Sequence, residues 1–133
     1  MILLDTHVLL WLDCDAPQLG AQTRDQIRDF WGRHQVAVSA ISFWEVAMLQ
    51  ERGRISLAVP ALVWRDDWLK AGMTELPLDG RVAIQAAELK PFHPDPADRF
   101  ICATAQARGL ALATADRAIL DWTASLPRLN ARH

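Results

Sequence analysis

Four acids recur along this chain in one kind of setting. Asp5 closes the apolar run ILLD, Glu45 stands in SAISFWEVA, Asp98 in DPADRFICATA, and Asp116 follows LALATA. A carboxylate beside an apolar run is costly to bury unless it is paired, protonated or bound to a cation. Each also has a plain structural reading. Asp5 suits the cap of a helix over VLLWL. Ser42 and Glu45 have the spacing of a capping box, in which the Glu reaches back to the cap's backbone N–H. If Ser39 is the cap instead, Glu45 falls in the second turn and needs a partner. Asp95 suits an N-cap with Pro96 at N1, which leaves Asp98 at N3, where the helix dipole favours an acid. Asp116 precedes RAIL and suits a cap as well. Taken singly, none of the four separates cap from ligand.

Together they say more. Four carboxylates brought to one place repel one another and raise each other's pKa unless a cation neutralises them. An all-oxygen donor set selects a hard divalent ion, Mg2+ or Mn2+. Such a site, with one or two metals, activates a water and stabilises the oxygens of an in-line attack on phosphorus. On this reading Asp5, Glu45, Asp98 and Asp116 are the metal-holding and catalytic residues.

The elements that must carry them follow from the pattern. ILLD is a short buried strand ending at Asp5, VAVS (36–39) a second, MTELPL (73–78) a third and LALAT (110–114) a fourth, with LPRL in the tail as a fifth. Helices are expected over 17–31, from Ala40 to about Arg52, from Pro60 to Gly72, from the Asp79 cap through Leu89 and from Ala97 to Arg108. Gly109 closes the last of these, and a short helix opens at Asp116 and runs to about Trp122. PFHPDP, with His93, reads as a turn-rich loop. Strands alternating with helices indicate an α/β fold with a mainly parallel sheet of four to five strands. Right-handed crossovers then bring every strand's carboxyl end to one edge. Open α/β sheets bind ligands there, at the switch in strand order. Asp5 is the first residue off that end of the first strand.

Composition narrows the class. The chain has 133 residues, 51% hydrophobic and 23% charged, which suits one domain over residues 1–133 with a core that needs no disulfide. Cys14 and Cys102 lack C-x-x-C spacing, so no thiolate zinc site is expected, and Cys102 reads as a buried core thiol. The apolar runs are too short to span a bilayer and the start lacks a secretory signal, so a cytoplasmic, membrane-free protein is expected. A net charge of −2 argues against a simple electrostatic nucleic-acid binder. All but two of the 14 basic residues are arginine, the side chain suited to bidentate phosphate or carboxylate contact. All but four of the 16 acids are aspartate, a poor helix former that favours caps, turns and sites.

The motifs LLDTHVLLW, VSAISFWEVA, DPADRFICATA and LALATAD, in this order and spacing, resemble the PIN-domain family and in particular its VapC-like ribonuclease toxins. The resemblance covers nearly the whole chain. It implies a three-layer α/β/α sandwich, Mg2+- or Mn2+-dependent cleavage of RNA, dimerisation and inhibition by a small antitoxin protein. It maps the family's acidic site onto Asp5, Glu45, Asp98 and Asp116. A structured RNA such as tRNA or rRNA is the expected substrate.

Secondary candidates surround those acids. Thr6 and Thr114 can orient a ligand or water, Thr114 equally being a strand-end hydroxyl bonded to backbone. Asp95 is the alternative to Asp98 should cap and ligand be exchanged. Arg99 is read as an RNA contact or as a surface pair with its acidic neighbour. His7 reads as a hydrogen-bonded structural histidine rather than a phosphate contact. Arg24 and Arg28 share their helix with Asp25 and Asp29 and make a solvated face. Trp64 and Trp68, one turn apart, are read as core packing ahead of a groove for a partner's apolar segment. Two other enzyme classes fit poorly. A dehalogenase-like phosphatase needs a second Asp where His7 stands, and a receiver domain needs a Lys near a late strand end, whereas Lys70 and Lys90 are the only lysines. The serious rival is a PIN-like RNA- or protein-binding module that has lost turnover.

Overall fold

Residues of the central strands are buried on both faces, so neighbours in sequence end up in different cores. The structure is a computed structural model that describes residues 1–90 and 95–133. Its elements run β1 (Ile2–Leu4), α1 (Thr6–Asp13), α2 (Ala21–Gly32), β2 (Val36–Ser39), α3 (Ala40–Glu51), α4 (Ala61–Ala71) and β3 (Thr74–Leu76). They continue with α5 (Gly80–Glu88), α6 (Pro96–Arg108), β4 (Ala111–Thr114), α7 (Arg117–Leu120) and β5 (Arg128–Asn130). In the first core Leu3, Ala37 and Leu112 meet Val82 and Ala86 of α5, and Ile101 and Cys102 of α6. In the second, Ile2, Leu4, Val36 and Val38 meet Val8 of α1, Ile27 of α2, Val46 of α3 and Trp64 of α4. The alternation of side chains along a strand dictates this division. The result is the expected three-layer α/β/α sandwich.

The five strands lie in the order β3-β2-β1-β4-β5, and every pairing is parallel. Chain order reverses between β1 and β4, which makes their carboxyl ends the topological switch point. Leu4 is level with Val38 and Ala113, so Asp5, Ser39 and Thr114 emerge side by side at that edge.

Several boundaries differ from the pattern. The second helix starts at Ala21 rather than Pro17, because the preceding turn docks onto the chain's last residues. The Gly20 N–H donates to the Ala131 carbonyl at 2.8 Å and that of Gln22 to His133 at 2.9 Å. A Cβ on Gly20 would lie 2.0 Å from the His133 carbonyl carbon. The fifth strand is Arg128–Asn130, two residues later than LPRL, and α7 stops at Leu120. Arg128 ties the two together, donating to the carbonyls of Ile119 (2.8 Å), Trp122 (2.5 Å) and Ala124 (3.2 Å).

Other expectations hold. Asp79 caps α5 through Val82 N–H, and Gly109 ends α6 at φ +63° in the left-handed region. Cys102 is fully buried. Trp64 is in the core, edge-on to Phe43, and Trp68 packs edge-on against Trp31. The first four residues of PFHPDP, including His93, lie outside the described residues. Among the described residues no helix is long and apolar enough to cross a membrane.

Candidate active site

Asp5 is 1% exposed at the end of the central strand. One carboxylate oxygen accepts from Thr6 N–H at 2.8 Å and the other from the Thr114 hydroxyl at 2.6 Å. Thr114 in turn accepts from Asp116 N–H at 3.1 Å, so one hydroxyl links the ends of β1 and β4 to the residue opening α7. Asp116 caps that short helix through Ala118 N–H at 2.8 Å. The hydroxyl of Thr114 therefore serves a carboxylate and the backbone at once.

Glu45 corrects the capping-box reading. Ser39, not Ser42, caps α3, accepting from Ile41 N–H at 3.2 Å. That places Glu45 in the second turn, where it needs a partner. Thr6 provides it, donating its hydroxyl to the Glu45 carboxylate, while Ser42 lies 2.9 Å from the same hydroxyl. Ser42 is fully buried within this polar cluster, a placement the sequence reading missed because the only signal was local cap spacing.

Asp95 is the N-cap of α6, accepting from the N–H groups of Ala97 (2.9 Å) and Asp98 (3.3 Å). Asp98 stands in the first turn. Burial, then the charges of Asp5, Asp95, Asp116 and Glu45, push its carboxyl up to about 8. Glu45 is raised chiefly by burial, which its bond from Thr6 opposes, with Asp5 and Asp95 adding to the rise. The same field reaches the core: the Cys102 thiol is pushed up by burial and then by Asp5, Asp98 and Asp116. Asp5, Glu45 and Asp116, with Asp95, thus all act on Asp98 across the switch point.

Two neighbours have structural work. The Ala115 N–H donates to His7 Nε2 at 3.0 Å, so that nitrogen carries no proton and Nδ1 bears the ring hydrogen. Nδ1 lies 3.6 Å from Asp5, and the ring stands edge-on to Trp11. Arg99 also reaches a second helix. Its guanidinium donates to the carbonyls of Ala86 (2.9 Å), Ala87 (3.1 Å) and Leu89 (2.9 Å), the exposed acceptors at the C-terminal end of α5. These bonds join α5 to α6.

The donor chemistry fits a hard divalent cation: oxygen ligands only, with the Asp98 carboxyl pushed up by burial and then by neighbouring acids. Among the described residues, no three His, Cys, Asp or Glu side chains are already gathered as a ligand set. The neighbouring acids act on Asp98 through their charge without being gathered as a ligand set.

The PIN-domain family model matches residues 2–123. Ribonuclease VapC22 of Mycobacterium tuberculosis is 38% identical over 117 residues, covering 87% of each chain. Among solved structures, VapBC2 of Rickettsia felis, bound to a promoter DNA fragment, superposes with a TM-score of 0.72. That match has 15% identity and covers 97% of this chain and 98% of the other. A toxin–antitoxin complex from Klebsiella pneumoniae gives 0.62 at 21% identity, over 90% of each chain. At such identities the structures speak for the fold, while the family model and the VapC22 likeness speak for descent. The chain belongs to the PIN-domain family, among its VapC-like members.

Proposed function

We propose that this protein is a Mg2+- or Mn2+-dependent endoribonuclease, the toxin of a cytoplasmic toxin–antitoxin pair. It is a single PIN domain over residues 1–133 that acts as a homodimer on structured RNA such as tRNA or rRNA and is inhibited by a cognate antitoxin protein. The observation that carries the reading is the meeting of acids from four chain segments at one sheet edge, with Asp98 pushed up to about 8 among them. Likeness to a ribonuclease and a fold shared with toxin–antitoxin complexes support it.

Asp5, Glu45, Asp98 and Asp116 hold the ion. When bound, it offsets phosphate charge and lowers the pKa of a water for attack on phosphorus. The chain's own groups do the positioning. Thr114 holds one oxygen of Asp5 and sets the backbone at Asp116. Thr6 holds Glu45, and the Asp95 cap orders the turn that presents Asp98. His7 links the strand ends that bear Asp5 and Ala115. Below about pH 8 the protonated Asp98 carboxyl is favoured, and a bound cation would favour its carboxylate instead.

The test is cleavage of a structured RNA pool by antitoxin-free protein in Mg2+, Mn2+ or EDTA, with Asp5→Asn as control. Metal-dependent cleavage that disappears in the variant is the expected result. A folded protein that binds no metal and cuts nothing overturns the reading and favours a silent binding module.

A further inference from the structure

One tryptophan is placed unlike the rest. Trp44 is 56% exposed, whereas Trp64 and Trp122 are each 6% exposed and Trp31 and Trp68 pack on one another. It immediately precedes Glu45 on α3. Ser42 and Val46 mark the buried side of that helix. At about 100° per residue, Trp44 comes ~200° around from Ser42, on the outward side, with Glu45 between that side and the core. Ile41 and Met48, three residues before and four after, are only partly buried and continue an apolar stripe beneath it. Side chains on a helix lean toward its N-terminus. The N-terminus of α3 is Ser39, level with Leu76 of β3 and directly after Val38, which is level with Leu4. The indole therefore leans toward the edge that carries the acids.

We infer that Trp44 is a stacking platform for an unpaired nucleobase flanking the phosphodiester that is cut. The inference rests on the functional reading above and adds a binding residue to it. A phosphate seated among Asp5, Glu45, Asp98 and Asp116 brings its flanking bases close to the residue bonded directly to Glu45. The chain as a whole carries −2, so net charge gives an approaching RNA backbone no attractive field. Stacking of a base on an indole needs no such field. It is also the usual way in which proteins hold unpaired bases without reading their sequence. An exposed indole beside an anionic phosphodiester site is the pairing such recognition requires. It explains why a large apolar ring stands in solvent at this point of α3, where a charged residue would otherwise be expected.

The test uses the full chain, free of antitoxin, as wild type, Trp44→Ala and Trp44→Phe. The probe is a fluorescein-labelled pool of short single-stranded RNAs, followed by one sequence from it that is cut. Cleavage kinetics, binding anisotropy and sedimentation are read on each protein. The expected result is a KM raised about 5- to 100-fold in Trp44→Ala with kcat little changed, and near-complete rescue in Trp44→Phe. Removing the base on one side of the cut bond, by an abasic substitution, weakens binding to the wild type to the level of Trp44→Ala and affects Trp44→Ala itself little. An unchanged KM and affinity in Trp44→Ala, or an abasic penalty equal in the two proteins, overturns the inference. So does a loss of activity that tracks a shift of Trp44→Ala to a smaller assembly, which assigns the ring to contact between copies of the chain. Trp44-dependent RNA binding by a wild type that cuts under no metal leaves the platform standing and removes the nuclease. A wild type that neither binds nor cuts removes both.

Discussion

Two clusters of partly buried charge in this molecule follow opposite rules. Between α4 and β3, Arg65 grips Glu75 with two parallel bonds of 2.9 and 2.7 Å, and also meets Asp66 at 3.1 Å. Its hydrogen bonds hold the Glu75 carboxyl below the ordinary range, and the guanidinium lies over the Phe43 ring. At the switch point, burial and then the charges of Asp5, Asp95, Asp116 and Glu45 drive the Asp98 carboxyl up to about 8. One cluster is complete as folded. In the other, burial and like charge work against ionisation of Asp98, the pattern expected of a site rather than a strut.

The contrast breaks first at Asp98. Asp98→Ala should abolish metal-dependent cleavage, a loss larger than the roughly 10- to 100-fold typical of groups that merely orient a ligand. Asp95→Ala should instead lose a cap, at about 1 kcal/mol of stability, and keep cleavage. If Asp95→Ala is the dead variant and Asp98→Ala the active one, cap and ligand have been exchanged. Thr114→Val comes next. It removes the hydroxyl on Asp5 while conserving shape, and should lower activity or metal affinity about 10- to 100-fold. Wild-type rates in that variant would show that Asp5 needs no such support.

The pH dependence sharpens the same comparison. Binding a cation at Asp98 releases its proton, so apparent metal affinity should rise about tenfold per pH unit below 8 and level off above it. Calorimetry in buffers of different ionisation heat reads that proton directly. Without metal the sign for folding is the reverse of an ordinary paired acid. The native carboxyl binds its proton more tightly than the unfolded one, so its contribution to stability is complete below pH 3.8 and is lost as pH rises to about 8. Asp98→Asn should therefore raise the melting temperature of metal-free protein by a few degrees at alkaline pH and not at acid pH. An equal shift at both ends would sink this account of Asp98.

The smallest effect belongs to the other cluster. Glu75→Ala leaves Arg65 without its main partner and should lower the melting temperature slightly, less so in high salt, with metal-dependent cleavage unchanged. A large loss of cleavage there would mean that the two clusters are coupled through α3 and α4.

Much of the fold was legible in the residues because the deciding interactions are short-ranged in sequence. Caps at Asp79, Asp95 and Asp116 bond to N–H groups two or three residues on, so local spacing reveals them. Gly109 ends α6 by its own backbone conformation. The alternation of ILL and VAV with helical runs implies a sheet covered on both faces, since strands apolar at every position have no face to show to water. The four acids could be chosen from the same local pattern of a carboxylate at the edge of an apolar element.

The start of α2 was not legible, because Gly20 is placed by Ala131 and His133 from the other end of the chain. Nor was the choice of Ser39 over Ser42 as cap, since both spacings are locally valid. Thr6, 39 residues away from Glu45 in sequence, takes up the carboxylate that the capping box needed. The bonds from Arg99 to α5 were not legible either, because the carbonyls it binds belong to a different helix. By itself, then, the sequence determined which elements form, where their local caps fall and which acids stand at their ends. Only the tertiary structure decided that β1 lies beside β4. That pairing brings Thr114 onto Asp5 across 109 residues and sets four like charges against one another at a single edge. Caps and periodicity act over a few residues of chain, whereas Coulomb repulsion and burial depend on distances that exist only after the sheet has closed.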